Sequence, residues 1–160
     1  MYTLICMMED SNNTDVAYFA AGCFWGVEAH FRQLDGVVET AVGFMGGDVD
    51  DPTYKQVCSE DTGHAETTKV VFDPDIISYD TLLEHFWEIH DPTQLNRQGP
   101  DVGRQYRSAI FYDTDTQKMK AQDSKEAHQQ AYTDEIVTEI VPADTFYKAA
   151  KHHQQYYSKR

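Results

Sequence analysis

Basic residues and cysteines are both scarce in this chain of 160 residues, and each shortage excludes something. Thirteen Lys and Arg stand against twenty-seven Asp and Glu, which gives a formal net charge of −14. Nucleic acids and anionic membranes bind basic surfaces, so neither is expected as a partner. The three cysteines, Cys6, Cys23 and Cys58, are too few for a disulfide framework, which predicts a reducing, cytoplasmic location.

The chain also has no long apolar run. No stretch approaches the length that a membrane-spanning helix needs, and the N-terminal MYTLICMMED lacks the basic start and apolar centre of a signal peptide. Residues 1–14 are predicted to form a flexible polar tail. Residues 15–160 contain no repeat or linker, and their length suits a single domain with one core.

Hydrophobic periodicity predicts strands and helices that alternate along the chain. The predicted strands are 16–20, 37–44, 67–72, 108–112 and 135–141. The predicted helices cover 23–34, begin after the caps Ser78 and Thr114, and follow Pro142. Two loops, 46–66 and 91–106, are longer than loops without a function usually are. This pattern predicts an α/β (α+β) sandwich of two layers, with helices covering one sheet.

Cys23 is the strongest candidate for chemistry. It lies in the segment Gly22-Cys23-Phe24-Trp25-Gly26, where a predicted strand gives way to a predicted helix. Free N–H groups and the helix dipole at that position favour a thiolate. Trp25 falls outside the apolar stripe of the helix and is therefore free to face a pocket. A buried cysteine acting only as a small hydrophobic residue is the alternative.

Carboxylates and a phenol in the two long loops are further candidates. Glu66 is either an acid kept neutral by an apolar pocket or a loop carboxylate in solvent. Asp101 and Tyr106 flank Gly103, and they either orient a substrate oxygen or cap the loop. Spacing alone does not decide between these interpretations.

Metal binding is not expected. The segment His64-Ala65-Glu66 matches half of the zinc deaminase signature, but the P-C-x-x-C that completes it is missing. Cys58, His64 and Glu66 offer zinc ligands without a recognised spacing. His85 and His90 are five residues apart and do not share a helix face. The pair His152-His153 is predicted to carry surface charge.

Six blocks of the sequence resemble the A-type peptide methionine sulfoxide reductase family and follow its order. They are residues 22–26, 52–54 with 57–59, 62–66, 90–94, 96–99 and 105–108. The resemblance extends over residues 16–156. It implies a mixed, mostly antiparallel sheet with a ferredoxin-like core, and long loops that form the active site of one catalytic domain.

The resemblance also implies thiol-dependent reduction of methionine S-sulfoxide, free or within peptides and oxidised proteins, through a sulfenic acid on Cys23. Glu66 would protonate the sulfoxide oxygen, and Asp101 would position substrate or a water. The implied catalytic residues are Cys23, Glu66, Tyr54, Asp101 and Tyr106, with Phe24 and Trp25 holding the substrate methyl group. No cofactor is expected beyond an external thiol reductant such as thioredoxin, and a monomer is expected.

The sequence departs from the family pattern in three places. Pro100 replaces a common Asn and Arg104 replaces a small polar residue, but neither change removes an implied catalytic group. Many relatives carry recycling cysteines in a C-terminal tail, whereas no cysteine follows Cys58 here. Three routes for regenerating the Cys23 thiol therefore stay open. Direct reduction by an external thiol is favoured. The other two use a resolving thiol, either Cys6 on the tail or Cys58, whose sequence neighbours indicate a packed position.

Two other classes of protein stay open on the residues alone. A cysteine at a helix start, followed by Trp, also occurs in papain-like Cys–His hydrolases. A non-catalytic module that binds peptides with Trp25 and the tyrosines is the second alternative.

Overall fold

The computed structural model describes residues 13–59 and 61–159. The predicted tail, with Cys6, lies almost wholly outside the described residues and stays a prediction. Within these two ranges, no helix is both long and apolar enough to cross a membrane.

Eight strands form two sheets in the described part of the chain. They are β1 (Asp15–Ala21), β2 (Val37–Met45), β3 (Ala65–Phe72), β4 (Arg97–Gln98), β5 (Asp101–Val102), β6 (Ser108–Tyr112), β7 (Glu139–Pro142) and β8 (Tyr147–Lys148). Six of them make one sheet in the order β7-β6-β1-β3-β2-β8, and β4 pairs with β5 as a separate hairpin. Only the pair β6–β7 is parallel, so the sheet is mixed and mostly antiparallel.

Four α-helices accompany the sheet in the same ranges: α1 (Phe24–Arg32), α2 (Tyr54–Ser59), α3 (Tyr79–Glu88) and α4 (Asp115–Gln129). The order β1-α1-β2-β3-α3-β6, with strands arranged β6-β1-β3-β2, is the ferredoxin-like arrangement that the resemblance implies. The predicted caps are present, since Ser78 accepts the Thr81 N–H and Thr114 accepts the Gln117 N–H, both at 3.1 Å.

The core forms on both faces of the sheet because side chains alternate along each strand. Ala17 and Phe19 of β1 pack with the helices, where Phe19 stacks on Phe31 of α1 with ring centroids 5.1 Å apart. Ala20 of β1 points the other way and belongs to a cluster with Met45, which Phe146 and other partly buried residues of the C-terminal segment flank. The sheet is therefore covered by helices on one face and by irregular chain on the other.

The prediction of a helix after Pro142 is wrong. Residues 143–159 form β8 and two 3-10 turns, Lys151–His153 and Tyr157–Lys159. The side chain of Gln154 bonds both the N–H and the carbonyl of Val42, each at 2.8 Å. These bonds hold the segment against β2, so tertiary contacts override its helical composition.

Three other boundaries differ from the predictions. The loop 46–66 contains the short helix α2, and β3 begins at Ala65, so Glu66 lies within a strand. The predicted strand 135–141 is reduced to Glu139–Pro142, since Val137 donates its N–H to the Pro92 carbonyl instead of joining the sheet.

Candidate active site

Cys23 lies where β1 ends and α1 begins, as the sequence predicts. Gly22 provides the turn with φ +97°, and a Cβ at this position would lie 3.0 Å from the Gln98 side chain. Cys23 is the N-cap residue of α1, so its thiol faces the free N–H groups of the first turn. The turn brings a half-buried sulfur to the carboxyl end of β1.

The backbone N–H groups at the helix start favour a Cys23 thiolate, as the sequence predicts, but burial outweighs them. Burial, aided by the carboxyl groups of Glu66 and Asp101, raises the pKa of the Cys23 thiol to about 11. Bonds from the backbone N–H groups of Trp25 and Gly26 lower the pKa, but burial dominates. Cys23 is therefore a thiol at neutral pH.

Glu66 is the buried acid of the site. It stands in β3 opposite Phe44 of β2, and only 1% of its surface is exposed. Its Oε1 accepts the Phe24 N–H at 3.2 Å, while its Oε2 is buried without a hydrogen-bond partner. Burial, aided by Asp101, raises the Glu66 pKa to about 8. Glu66 is therefore mostly protonated at neutral pH, which excludes the interpretation of a loop carboxylate in solvent.

Two phenols complete the polar side of the site. Burial raises the pKa of both Tyr54 and Tyr106, and Glu66 raises each further. Tyr106 also responds to the charges of Asp101 and Cys23, which places these groups around one space. Both phenols stay protonated and act as hydrogen-bond donors. The structure thus brings together all five residues that the resemblance implies as catalytic.

The aromatic side of the site is built on α1. Phe24 is fully buried, with its ring 5.7 Å from that of Phe44. Trp25 stacks on Tyr156 with centroids 3.9 Å apart, and its indole N–H donates to Nδ1 of His153 at 3.2 Å. The prediction of surface charge at His153 is wrong, since only 3% of that residue is exposed.

Sequence reasoning missed both His153 and Tyr156 as parts of the site. Trp25 and His153 are 128 residues apart in sequence, so no local pattern joins them. The aromatic composition of the segment His152-His153-Gln154-Gln155-Tyr156-Tyr157 was the only signal available.

Cys58 also belongs to the site, because of helix α2. Tyr54 and Cys58 are four residues apart on α2 and share one face of it. Burial raises the pKa of the Cys58 thiol, whereas interactions with the Tyr54 and Tyr106 hydroxyls lower it. The prediction that Cys58 is packed inside the protein is wrong, because Cys58 is exposed. Its neighbour Val57 is the packed residue and is only 2% exposed. Cys58 also lines a surface groove of about 340 Å³.

A thiol beside a neutral carboxyl group and two phenols defines a cysteine-dependent enzyme that can protonate its substrate. Comparison with known proteins agrees with this class. The family described as Peptide methionine sulfoxide reductase matches residues 15–160. The peptide methionine sulfoxide reductase MsrA of Methanosarcina mazei is 60% identical over 146 residues, which cover 90% of this chain and 69% of the relative.

Solved structures agree with the sequence comparison. Methionine sulfoxide reductase A of Corynebacterium diphtheriae has a TM-score of 0.90 and 39% identity, covering 93% of this chain and 76% of that one. Mxr1 of Saccharomyces cerevisiae in complex with Trx2 has a TM-score of 0.66 and 28% identity, covering 92% and 87%. The chain belongs to the peptide methionine sulfoxide reductase family, A type, and is an enzyme that reduces methionine sulfoxide. The hydrolase and the non-catalytic module are therefore excluded.

Proposed function

We propose that Glu66 protonates the sulfoxide oxygen while Cys23 attacks the sulfoxide sulfur. The observation that carries this assignment is the buried Oε2 of Glu66, which has no hydrogen-bond partner and belongs to an acid with a pKa of about 8. A sulfoxide oxygen leaves poorly until it is protonated, so the reaction needs a neutral acid beside the nucleophile. Tyr54 and Tyr106 hydrogen-bond the same oxygen.

The proposed step balances without a cofactor. The Glu66 proton moves to the sulfoxide oxygen, the Cys23 proton replaces it on Glu66, and a bond forms between the Cys23 sulfur and the substrate. The S–O bond of the substrate and the bond between the two sulfurs then break as the hydroxyl passes to the Cys23 sulfur, which releases methionine. Methionine sulfur gains two electrons and Cys23 loses two, which leaves methionine and a sulfenic acid. This path needs no preformed thiolate, in agreement with the raised pKa of Cys23.

Phe24 and Trp25 form the wall against which we place the substrate methyl group. Phe24 is fully buried and Trp25 is clamped by Tyr156 and His153, so both rings are fixed before substrate binds. Asp101, at the rim, positions the substrate or a water. The substrates are the S epimer of methionine sulfoxide, free and in peptides or oxidised proteins, which makes the enzyme one of protein repair.

Single-turnover kinetics with a methionine sulfoxide peptide test the first step. Cys23→Ser should form no methionine, and Glu66→Gln should form it slowly. Dimedone should label Cys23 in the Cys58→Ser variant after one turnover. Methionine formation at the wild-type rate by Cys23→Ser would contradict the assignment of the nucleophile.

We further propose that Cys58 is the resolving thiol, in place of the external route favoured on sequence alone. Cys58 hydrogen-bonds the Tyr106 hydroxyl, and Cys23 also lies within electrostatic range of that phenol. Cys58 attacks the sulfenic sulfur of Cys23, a disulfide forms, and water leaves with the sulfenic oxygen. The exposure of Cys58 at a surface groove leaves this disulfide open to an external dithiol.

A thioredoxin is the proposed reductant, since the related yeast protein has a solved complex with the thioredoxin Trx2. Cys58→Ser should keep the single-turnover rate, lose turnover supported by thioredoxin, and accumulate dimedone-reactive Cys23. Cys6→Ser is the matched control and should behave as wild type. Loss of turnover only in Cys6→Ser would instead support the tail route, and unchanged turnover in both variants would support direct external reduction.

The enzyme is also proposed to be a monomer and to act in the cytoplasm. The small cysteine count and the free thiols of Cys23 and Cys58 support a reducing compartment. Light scattering after size-exclusion chromatography tests the monomer, and cell fractionation tests the compartment. A stable dimer or a secreted enzyme would contradict the respective proposal.

A further inference from the structure

One group of side chains distant from the thiol chemistry has the composition of a metal site. Within the part of the chain that the structure describes, His30, His85 and Glu88 form the one group of three or more His, Cys, Asp or Glu side chains that could hold an ion. Their ligand atoms all lie within 4.8 Å of one another. His30 stands in the last turn of α1, at the opposite end from Cys23, while His85 and Glu88 belong to α3.

The distances within this group are close to those of a zinc site. His30 Nε2 lies 2.9 Å from His85 Nδ1, which in turn lies 3.6 Å from Glu88 Oε2. His85 and Glu88 are three residues apart on α3 and therefore share a face. Ligand atoms that are bound tetrahedrally at zinc distances are roughly 3.3 Å apart. Shifts of a few tenths of an ångström would bring these two pairs to that spacing, and the ligand atoms of His30 and Glu88 lie within 4.8 Å of each other.

The electrostatics of the group also suit a cation. The rings of His30 and His85 are each partly buried, and their nitrogen atoms face each other. A hydrogen bond between two facing imidazole nitrogen atoms uses only one lone pair, whereas a metal ion uses the lone pair of both. The exposed Glu88 adds a negative charge and leaves one side of the group open to water.

We propose that His30, His85 and Glu88 bind a divalent transition-metal ion, with Zn²⁺ as the reference ion and water as the fourth ligand. Two imidazoles and one carboxylate are a ligand set that zinc accepts. The ion would join the C-terminal turn of α1 to α3. Since α1 carries Cys23 and Trp25 at its other end, the site would stabilise the helix on which the active site is built.

Cobalt titration of the full chain, free of affinity tags, tests this site without reference to activity. A variant in which Cys6, Cys23 and Cys58 are all Ser removes thiolate binding from the measurement. We expect visible d–d bands of Co²⁺ that saturate at one ion per chain and disappear when Zn²⁺ is added. His30→Ala and His85→Ala should each weaken binding by at least about tenfold.

Glu88→Gln and two controls complete the test. The Glu88 side chain is exposed, so its replacement should leave the fold intact while still weakening metal binding. His152→Ala and Glu126→Gln replace an exposed histidine and an exposed glutamate elsewhere and should bind as the parent does. Zn²⁺ should raise the melting temperature of the parent and of both controls, but not of His85→Ala.

Three outcomes would overturn the proposal. The first is a titration of the cysteine-free chain that yields no cobalt bands. The second is unchanged affinity in His30→Ala and His85→Ala. The third is metal binding that occurs only in the wild-type chain, with the near-ultraviolet charge-transfer band of a thiolate ligand.

Discussion

Two glutamates, Glu28 and Glu66, are each 1% exposed, but their surroundings differ. The Glu28 carboxylate accepts the Thr40 hydroxyl at 2.7 Å, and the backbone N–H and side-chain amide of Gln155 at 2.7 and 3.0 Å. The Glu66 carboxyl group accepts a single N–H, from Phe24, and keeps one oxygen without a partner. Both carboxyl oxygen atoms of Glu28 therefore have hydrogen-bond partners, whereas only one of those of Glu66 does.

This difference distinguishes a glutamate that stabilises the fold from one that is proposed to take part in the reaction. Glu28 joins α1, β2 and the C-terminal segment, and all its bonds are made within the protein. A buried polar atom without a partner destabilises the folded state, and such atoms concentrate where a substrate supplies the missing bond. Glu66 is therefore available to the substrate, whereas Glu28 holds the walls of the same site in place.

Replacement of Glu66 should have the largest effect. Glu66→Gln keeps the shape of the neutral acid but cannot give a proton, so the single-turnover rate should fall by about 10² to 10⁴-fold. Glu28→Gln should lower that rate by less than about tenfold, since Glu28 does not meet the substrate. Rapid-quench measurement of methionine formation compares the two variants. Equal losses of single-turnover rate in the two variants would contradict the different roles given to Glu66 and Glu28.

The free energies of unfolding of wild type and Glu66→Gln should diverge as pH rises. The Glu66 pKa is raised from 4.5 to about 8 on folding, so between these values the folded chain holds a proton that the unfolded chain releases. Unfolding is therefore favoured as pH rises through this window, and wild type loses stability relative to Glu66→Gln. The difference should reach roughly 3 to 5 kcal/mol by pH 8.

Denaturant unfolding of wild type and Glu66→Gln at pH 5 and pH 8 measures this divergence. The control is Glu39→Gln, which changes an exposed glutamate on β2 and should track wild type at both pH values. A constant difference between wild type and Glu66→Gln would show that residue 66 does not titrate in this range.

Replacement of Glu28 should mainly affect stability. In Glu28→Gln an amide N–H₂ faces donors from Thr40 and Gln155, so the free energy of unfolding at neutral pH should fall by about 2 to 3 kcal/mol. Chemical denaturation measures the loss, again with Glu39→Gln as the surface control. A loss no larger than in that control would mean that the Glu28 bonds contribute little.

The smallest effect should come from Thr40. Thr40→Val removes one of the donors to Glu28 while the bonds from Gln155 remain, so the loss in free energy of unfolding should be about 1 kcal/mol. Thr116→Val, at an exposed position on α4, is the matched control. A loss greater than that of Glu28→Gln would indicate that Thr40 acts through packing rather than through the carboxylate.

Much of this fold could be predicted because its signals are local. The apolar run of β1 and the hydroxyl caps Ser78 and Thr114 depend on residues only a few positions apart. Helix α2 escaped prediction because it has only six residues and buries only Val57. Because α2 was not predicted, the sequence did not indicate that Cys58 lies beside Tyr54 and Tyr106.

The site was predictable as a set of residues, but its electrostatics were not. The position of Cys23 at a helix start predicts a low pKa, whereas burial and two carboxyl groups from distant strands raise it. The clamp on Trp25 and the Gln155 bonds to Glu28 come from residues 153–156, more than 120 positions away. Contacts of that range depend on the finished topology and leave no periodic trace in the sequence.

The stack on Trp25 gives the protein an optical reporter of its own active site. The chain has two tryptophans. Trp25 lies between Tyr156, Tyr54 and His153 on the substrate wall, whereas Trp87 is buried in the helical layer and bonded to Ser124. Emission from Trp25 should report on changes around its aromatic partners, while Trp87 gives a second signal from the helical layer. Fluorescence should then follow substrate binding without an added label.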